Sequence, residues 1–132
     1  MVRPGDALPE REFKVDTVQL FLYNAALWNA HRIHFDQAYA TGVEAYPGLV
    51  IAGPLMGDWL AQCVMEWLNE EGKLESIEYR NRRAAYVGET LYSGGSVLTA
   101  DPVRGRVTLE LFVRNQSDEV ILPGSAIVRF AK

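Results

Sequence analysis

The clearest pattern in the chain is an alternation in which Val107, Leu109, Leu111 and Val113 are separated by Thr108, Glu110, Phe112 and Arg114. This is the period of two expected of an antiparallel strand with one buried face. Lys73 to Arg83, Glu89 to Ala100 and Glu119 to Ala131 are also strand-like, and turn material such as Asp101-Pro102 and Asn115-Gln116-Ser117-Asp118 separates the four stretches. Pro123-Gly124 interrupts the last of them, which predicts a bulge or an edge position. Upstream the period changes. Met56, Trp59, Leu60, Cys63, Val64 and Trp67 follow the i, i+3, i+4 spacing of a long apolar helix. Pro54 suits its first position and Gly72 its C-terminal stop.

A shorter helix is predicted from Asp16, which forms a capping-box arrangement with Gln19. Val18, Phe21, Leu22, Ala25 and Asn29 share one face of it, so that face is expected to pack on the core and Asn29 to end it. Ahead of this helix, Pro4, Gly5 and Pro9 discourage regular structure, and Arg11 to Val15 reads as a short strand with Phe13 and Val15 on one side. After it, His31 to Asp36 reads as a loop, with Asp36 placed to cap a helical turn through Ala40. Tyr46-Pro47-Gly48 is a turn signature, followed by the apolar run Leu49 to Ala52 and then Gly53-Pro54. One apolar helix and a meander of long strands bury each other best when the sheet curls around the helix. The expected architecture is therefore α+β, a single hot-dog domain over residues 1–132 with an antiparallel sheet wrapped around one long central helix.

Composition narrows the function. The 132 residues carry a formal charge of -4, and Arg80, Arg82 and Arg83 form the longest basic group, too little for a surface that tracks phosphates along a nucleic acid. The single cysteine, Cys63, excludes an intramolecular disulfide and a cysteine metal cluster, which fits a reducing, cytoplasmic setting. No apolar run approaches the roughly 20 residues that span a bilayer, and the N-terminus lacks a signal core, so no membrane role is expected. Trp59 and Trp67 belong to the core stripe of the long helix.

Candidate chemistry is concentrated in Asn29 to Asp36, Asn-Ala-His-Arg-Ile-His-Phe-Asp, which holds both histidines of the chain. Histidine is the side chain that most readily takes and returns a proton near neutral pH. This stretch resembles the motif Asp-x-Asn-Pro-x-His of the MaoC-like (R)-specific enoyl-CoA hydratases. It is closer still to the branch of mesaconyl-CoA hydratases and related acyl dehydratases, through Asn29 to Asp36 together with Tyr46-Pro47-Gly48-Leu49-Val50 and Gly53-Pro54-Leu55.

The resemblance implies a hot-dog lyase that hydrates an enoyl-CoA, or dehydrates a 3-hydroxyacyl-CoA, with no metal or organic cofactor beyond the coenzyme A of the substrate. His34 falls on the family's catalytic histidine, Asn29 on its catalytic aspartate, His31 on its asparagine and Arg32 on its proline. Asn29 would orient the water, and the Gly53 backbone N–H, at a helix start, would serve the developing enolate oxygen. His31, Asp36, Tyr46, Pro47, Val50, Ala52 and Arg82 are the candidates for contact with the substrate. An amide cannot ionise, so Asn29 departs from the pattern and His34 acts alone or with His31 or Asp36. Ala52 replaces the histidine that often precedes the glycine. The family also implies a homodimer or a second hot-dog subunit, and the amide at position 29 keeps open a non-catalytic subunit of a heteromeric hydratase. A thioesterase on the same fold would need a carboxylate on the long helix, where Asp58 and Glu66 are the candidates.

Overall fold

In the computed structural model, which describes residues 1–130, the chain begins with β1 (Arg11–Phe13), α1 (Thr17–Ala26), a single 3₁₀ turn (Arg32–His34) and α2 (Gln37–Gly42). It continues with α3 (Gly53–Leu68) and then β2 (Gly72–Tyr79), β3 (Leu91–Asp101), β4 (Arg106–Asn115) and β5 (Val120–Phe130). The strands form one antiparallel sheet in the order β1-β3-β4-β5-β2, curled about α3. This is the α+β hot-dog architecture that the patterning predicts; only the end of the last strand, expected at Ala131, lies outside the described residues.

The core is the contact between the two patterned surfaces. Leu55, Met56, Trp59, Leu60, Cys63, Val64 and Leu68 of α3 are buried, as are Val107, Leu109, Leu111 and Val113, the apolar set of β4. Burial of each such side chain contributes about 1.5–3 kcal/mol relative to exposure. β1 stops at Phe13, whose ring stacks on Trp59 with centroids 3.9 Å apart, and Val15 is buried on the same side. Trp67 packs edge-on against Phe130.

α1 is capped as expected, Asp16 accepting from the Gln19 N–H at 2.7 Å, but it turns a different face inward. Leu20 and Asn24 are buried, whereas Val18, Phe21, Leu22 and Ala25 are exposed. The inward face carries polar anchors that a count of apolar residues passes over: Asn24 Nδ2 donates to the Leu20 carbonyl, and the Tyr23 hydroxyl donates to Asp58 on α3. The helix also ends earlier than expected. Trp28 takes a left-handed conformation at φ 57°, its N–H bonds the Ala25 carbonyl, and the Asn29 N–H bonds the Asn24 carbonyl at 2.8 Å. That is the paired-bond ending usually built on glycine, here carried by a tryptophan at a cost of about 1–2 kcal/mol. Asn29 therefore belongs to the turn after the helix.

Two further expectations are corrected. α3 ends at Leu68, where Asn69 takes the left-handed position at φ 46°, and Gly72 begins β2. Asparagine tolerates that conformation through its short polar side chain. Pro123-Gly124 does not lie on an edge strand, because β5 runs between β4 and β2, and the irregularity falls just before it: the register against β4 is unbroken through Leu122, Pro123 and Gly124 and shifts at Ile121, between the Leu122–Val113 and Val120–Arg114 pairs. The missing N–H of Pro123 is accommodated because the regular β2 ladder stops at the Tyr79–Gly124 pair. Beyond it the Arg80 N–H still reaches the Pro123 carbonyl, and the Arg82 and Arg83 N–H groups both reach that of Ile121.

The inward face of α1 can be tested directly. Leu20→Ala should cost about 2–5 kcal/mol in chemical denaturation, as for a cavity in a packed core, and Leu22→Ala should stay within about 0.5 kcal/mol. Equal losses would contradict the burial pattern.

Candidate active site

Two segments distant in sequence are joined at one residue. The Val50 N–H donates to the Ile33 carbonyl at 2.9 Å, and the Val50 carbonyl lies 2.6 Å from Nδ1 of His34. On either side, the Ile51 N–H bonds the Ala85 carbonyl and the Val87 N–H bonds that of Leu49. The 3₁₀ turn bearing His34 is thus laid against an extended segment that runs directly into α3. The Asn29–Asp36 stretch and the Gly53-Pro54 helix start are held together by backbone hydrogen bonds.

This geometry sets the state of His34. A carbonyl oxygen only accepts, so Nδ1 carries the hydrogen and, in the neutral ring, Nε2 carries the free lone pair. Burial lowers the pKa of His34 from its ordinary value of 6.5, opposed by the Val50 carbonyl and reinforced by His31. A buried imidazole that stays neutral, with one nitrogen tied and the other unprotonated, is equipped to act as a base.

His34 opens on a cavity of about 360 Å³ lined also by Ile33, Tyr46, Val50, Ile51, Gly53, Met56 and residues 81–84. The structure therefore brings together His34, Tyr46, Val50, Gly53 and Arg82 of the expected site. Gly53 is the first residue of α3, Ala52 at the cap position provides no side-chain acceptor, and the Leu55 and Met56 N–H groups bond the Ala52 carbonyl, so the donor left at the positive end of the helix is the Gly53 N–H. Arg83 is ion-paired with Glu119, while Arg82 forms no salt bridge among the described residues.

Other expected residues lie elsewhere. Asn29 lines a separate surface depression with Phe21, Asn24, Ala25, Trp28, Ala30 and Phe35, and its Oδ1 accepts from the His31 N–H at 3.2 Å. It shapes the turn leading to His34 and does not reach the cavity. His31 is exposed and meets His34 edge-on with centroids 5.7 Å apart. Asp36 caps α2 through the Tyr39 N–H and pairs with Arg32, which holds its carboxyl below the usual range. Pro47 is exposed and Ala52 is buried, and neither lines the cavity.

Asn81 and Met56 line the cavity and were not singled out by sequence reasoning. For Asn81 a signal existed. Tyr79 and Asn81 are two apart on an extended segment, and Gly53 and Gly57 are one helical turn apart. A Cβ on Gly57 would collide with the Tyr79 ring, and one on Gly53 would collide with the Asn81 amide, Oδ1 first and Nδ2 at 2.7 Å. The carboxylates that a thioesterase would need are committed elsewhere, Asp58 to Tyr23 and Glu66 to Arg11. Cys63 donates to the Pro9 carbonyl, and burial pushes its thiol pKa up to about 11, so it is not a nucleophile near neutrality. Among the described residues no cluster of three or more His, Cys, Asp or Glu side chains could hold a metal, and no helix is long and apolar enough to cross a membrane.

A helix wrapped by an antiparallel sheet is the hot-dog fold, and here a histidine and an uncapped helix start line one cavity of it. The chain belongs to the family described as hydroxyacyl-thioester dehydratase type 2, which it matches over residues 2–87. It is 31% identical over 81 residues to the mitochondrial hydroxyacyl-thioester dehydratase type 2 of Saccharomyces cerevisiae, an alignment covering 61% of this chain and 28% of that protein. To the mesaconyl-C(4)-CoA hydratase of Chloroflexus aurantiacus it is 57% identical over 37 residues, 28% of this chain and 13% of that protein. The chain thus spans less than a third of the length of these curated relatives. The fold matches that of the (R)-hydratase from A. caviae involved in PHA biosynthesis, with a TM-score of 0.88, 14% identity and 98% of each chain covered.

The lowered pKa of His34 has a defined sign. Unfolding releases the ring to its ordinary value, so between 6.5 and the folded pKa the unfolded chain binds more protons, and stability from this group is lost as pH falls through that window. Titration of His34 by NMR should give a midpoint below 6.5, and His34→Gln should reduce the loss of stability on acidification. A midpoint above 6.5 would contradict the buried, neutral ring.

Proposed function

We propose that this domain adds water across the 2,3-double bond of an enoyl thioester, or removes it from a 3-hydroxyacyl thioester, with His34 moving both protons. The observation that carries this reading is that His34 and Gly53, the first residue of α3, line one cavity while His34 Nδ1 is held by Val50. In hydration, Nε2 takes a proton as the water oxygen bonds to C3. Electron density moves to the thioester oxygen, which the Gly53 N–H stabilises, and the imidazolium returns the proton to C2. Dehydration is the reverse. General acid–base catalysis of this type contributes about 10²–10⁴-fold, and oxyanion donors about as much again.

Further roles follow from this reading. Tyr46, Val50 and Met56 form the acyl wall, and Arg82 is placed for a phosphate of coenzyme A. Asn29 holds the turn that presents His34. A short branched or dicarboxylic acyl group is favoured by the likeness to the mesaconyl-C(4)-CoA hydratase. Because the alignment covers only 28% of the yeast relative, the working assembly is taken to be a homodimer or a pair with a second hot-dog chain.

A panel of enoyl-CoA substrates that includes crotonyl-CoA and mesaconyl-CoA tests the reading. Purified protein should deplete the enoyl absorbance, and His34→Ala should lower kcat at least about 10²-fold. Thiol release without loss of the enoyl group would indicate a thioesterase, and activity only after addition of a second hot-dog chain would indicate a supporting subunit. Asn29→Asp keeps an acceptor for the His31 N–H, so kcat should change by less than about tenfold, the scale of one hydrogen bond. A larger rise would place residue 29 on the water.

A further inference from the structure

We propose that Asn81 contacts the substrate, its side-chain amide serving as a second donor, beside the Gly53 N–H, to the thioester carbonyl oxygen; this rests on the cavity being a thioester site. The observation behind it is a match of two spacings. Residues i and i+2 of an extended segment lie about 6.7 Å apart, and residues i and i+4 of a helix rise about 6 Å. Tyr79 and Asn81 therefore run in step with Gly57 and Gly53, and both glycines are occupied: the Tyr79 ring lies over Gly57 and the Asn81 amide over Gly53. A Cβ at position 53 would meet Asn81 Oδ1 first and then Nδ2 at 2.7 Å and Cγ at 2.9 Å, so the whole amide rests on the Cα of the residue whose N–H is the proposed oxyanion donor, and a turn about its last torsion chooses which of its two ends lies there.

The placement is held from both sides. The Arg80 N–H bonds the Pro123 carbonyl at 3.1 Å and the Arg82 N–H bonds that of Ile121 at 3.0 Å, so the backbone around Asn81 is tied to β5. Only two side-chain torsions remain. Asn81 is nevertheless solvent-exposed, and it lines the same cavity as His34. A neutral amide offers two N–H donors at a place where negative charge develops on the carbonyl oxygen, and such donors act most strongly when they are fixed beforehand. The absence of a side chain at Gly53 has a consequence beyond access for the thioester: it leaves the space in which this amide sits.

The test reads the carbonyl directly. Butyryl-CoA, which has no double bond to hydrate, is labelled with ¹³C at the carbonyl and its stretching frequency is measured bound to the protein. In wild type the frequency should fall relative to free thioester, and in Asn81→Ala and Asn81→Asp it should return part of the way, with the melting temperature unchanged. In crotonyl-CoA hydration, Asn81→Ala should lower kcat by about 10²-fold with a smaller effect on KM, as for loss of one oxyanion donor. Asn81→Gln should restore part of both. An identical frequency and kcat in wild type and Asn81→Ala would overturn the proposal, as would a wild-type frequency equal to that of free thioester. If the frequency shifts as expected but crotonyl-CoA is not hydrated, the contact stands and the hydratase reading falls.

Discussion

The site depends on the two hydrogen bonds made by the backbone of Val50. Its N–H is given to the Ile33 carbonyl and its carbonyl receives Nδ1 of His34, so one residue fixes the 3₁₀ turn, the orientation of the imidazole and the tautomer. Each bond is worth about 0.5–1.5 kcal/mol net, yet leaving either partner buried and unpaired would cost more than that. The arrangement is therefore strongly specified by modest energies. Three residues downstream the same extended segment becomes the first turn of α3, so the register that orients the base also sets where the helix start lies relative to it.

The helix start is prepared by omission. Ala52 cannot cap, Gly53 has no Cβ, and Pro54 has no N–H of its own to satisfy. Most helices use a serine, threonine, aspartate or asparagine here. Its replacement by a buried alanine leaves the Gly53 N–H without a capping acceptor beside the cavity, a local cost offset by the apolar burial of Leu55, Met56, Trp59 and Leu60 in the same helix. The long helix thus serves both as the centre of the core and as the positive end of the site.

Much of this was legible from residue order. The alternation in β4, the stripe on α3 and the Asp16 and Asp36 caps follow from periodicity and local hydrogen bonding, and these are decided within a few residues. The inward face of α1 was not legible, because beside the buried Leu20 it carries Tyr23, bonded to Asp58 of α3, and Asn24, bonded to the helix's own backbone, while the more apolar face stays exposed. The turn at Trp28 was hidden for a related reason: its left-handed backbone is held by bonds to Asn24 and Ala25, not by the usual glycine. In the site, the motif spacing located His34 and Gly53 correctly with respect to one cavity, but it carried Asn29 there too. Spacing in sequence cannot show that the Asn29 side chain folds back onto the His31 N–H. Val50 was expected as a substrate contact, and its larger role lies in its backbone, which side-chain reasoning does not see.

The central claim is that Val50 holds His34 with hydrogen on Nδ1 and a free lone pair on Nε2. The ¹⁵N chemical shifts of the imidazole at neutral pH report this directly, and with two histidines in the chain the His34 signals are identified by their loss in His34→Gln. The expected result is a protonated, pyrrole-type Nδ1 and an unprotonated, pyridine-type Nε2. The reverse assignment, or two protonated nitrogens at neutral pH, would contradict it.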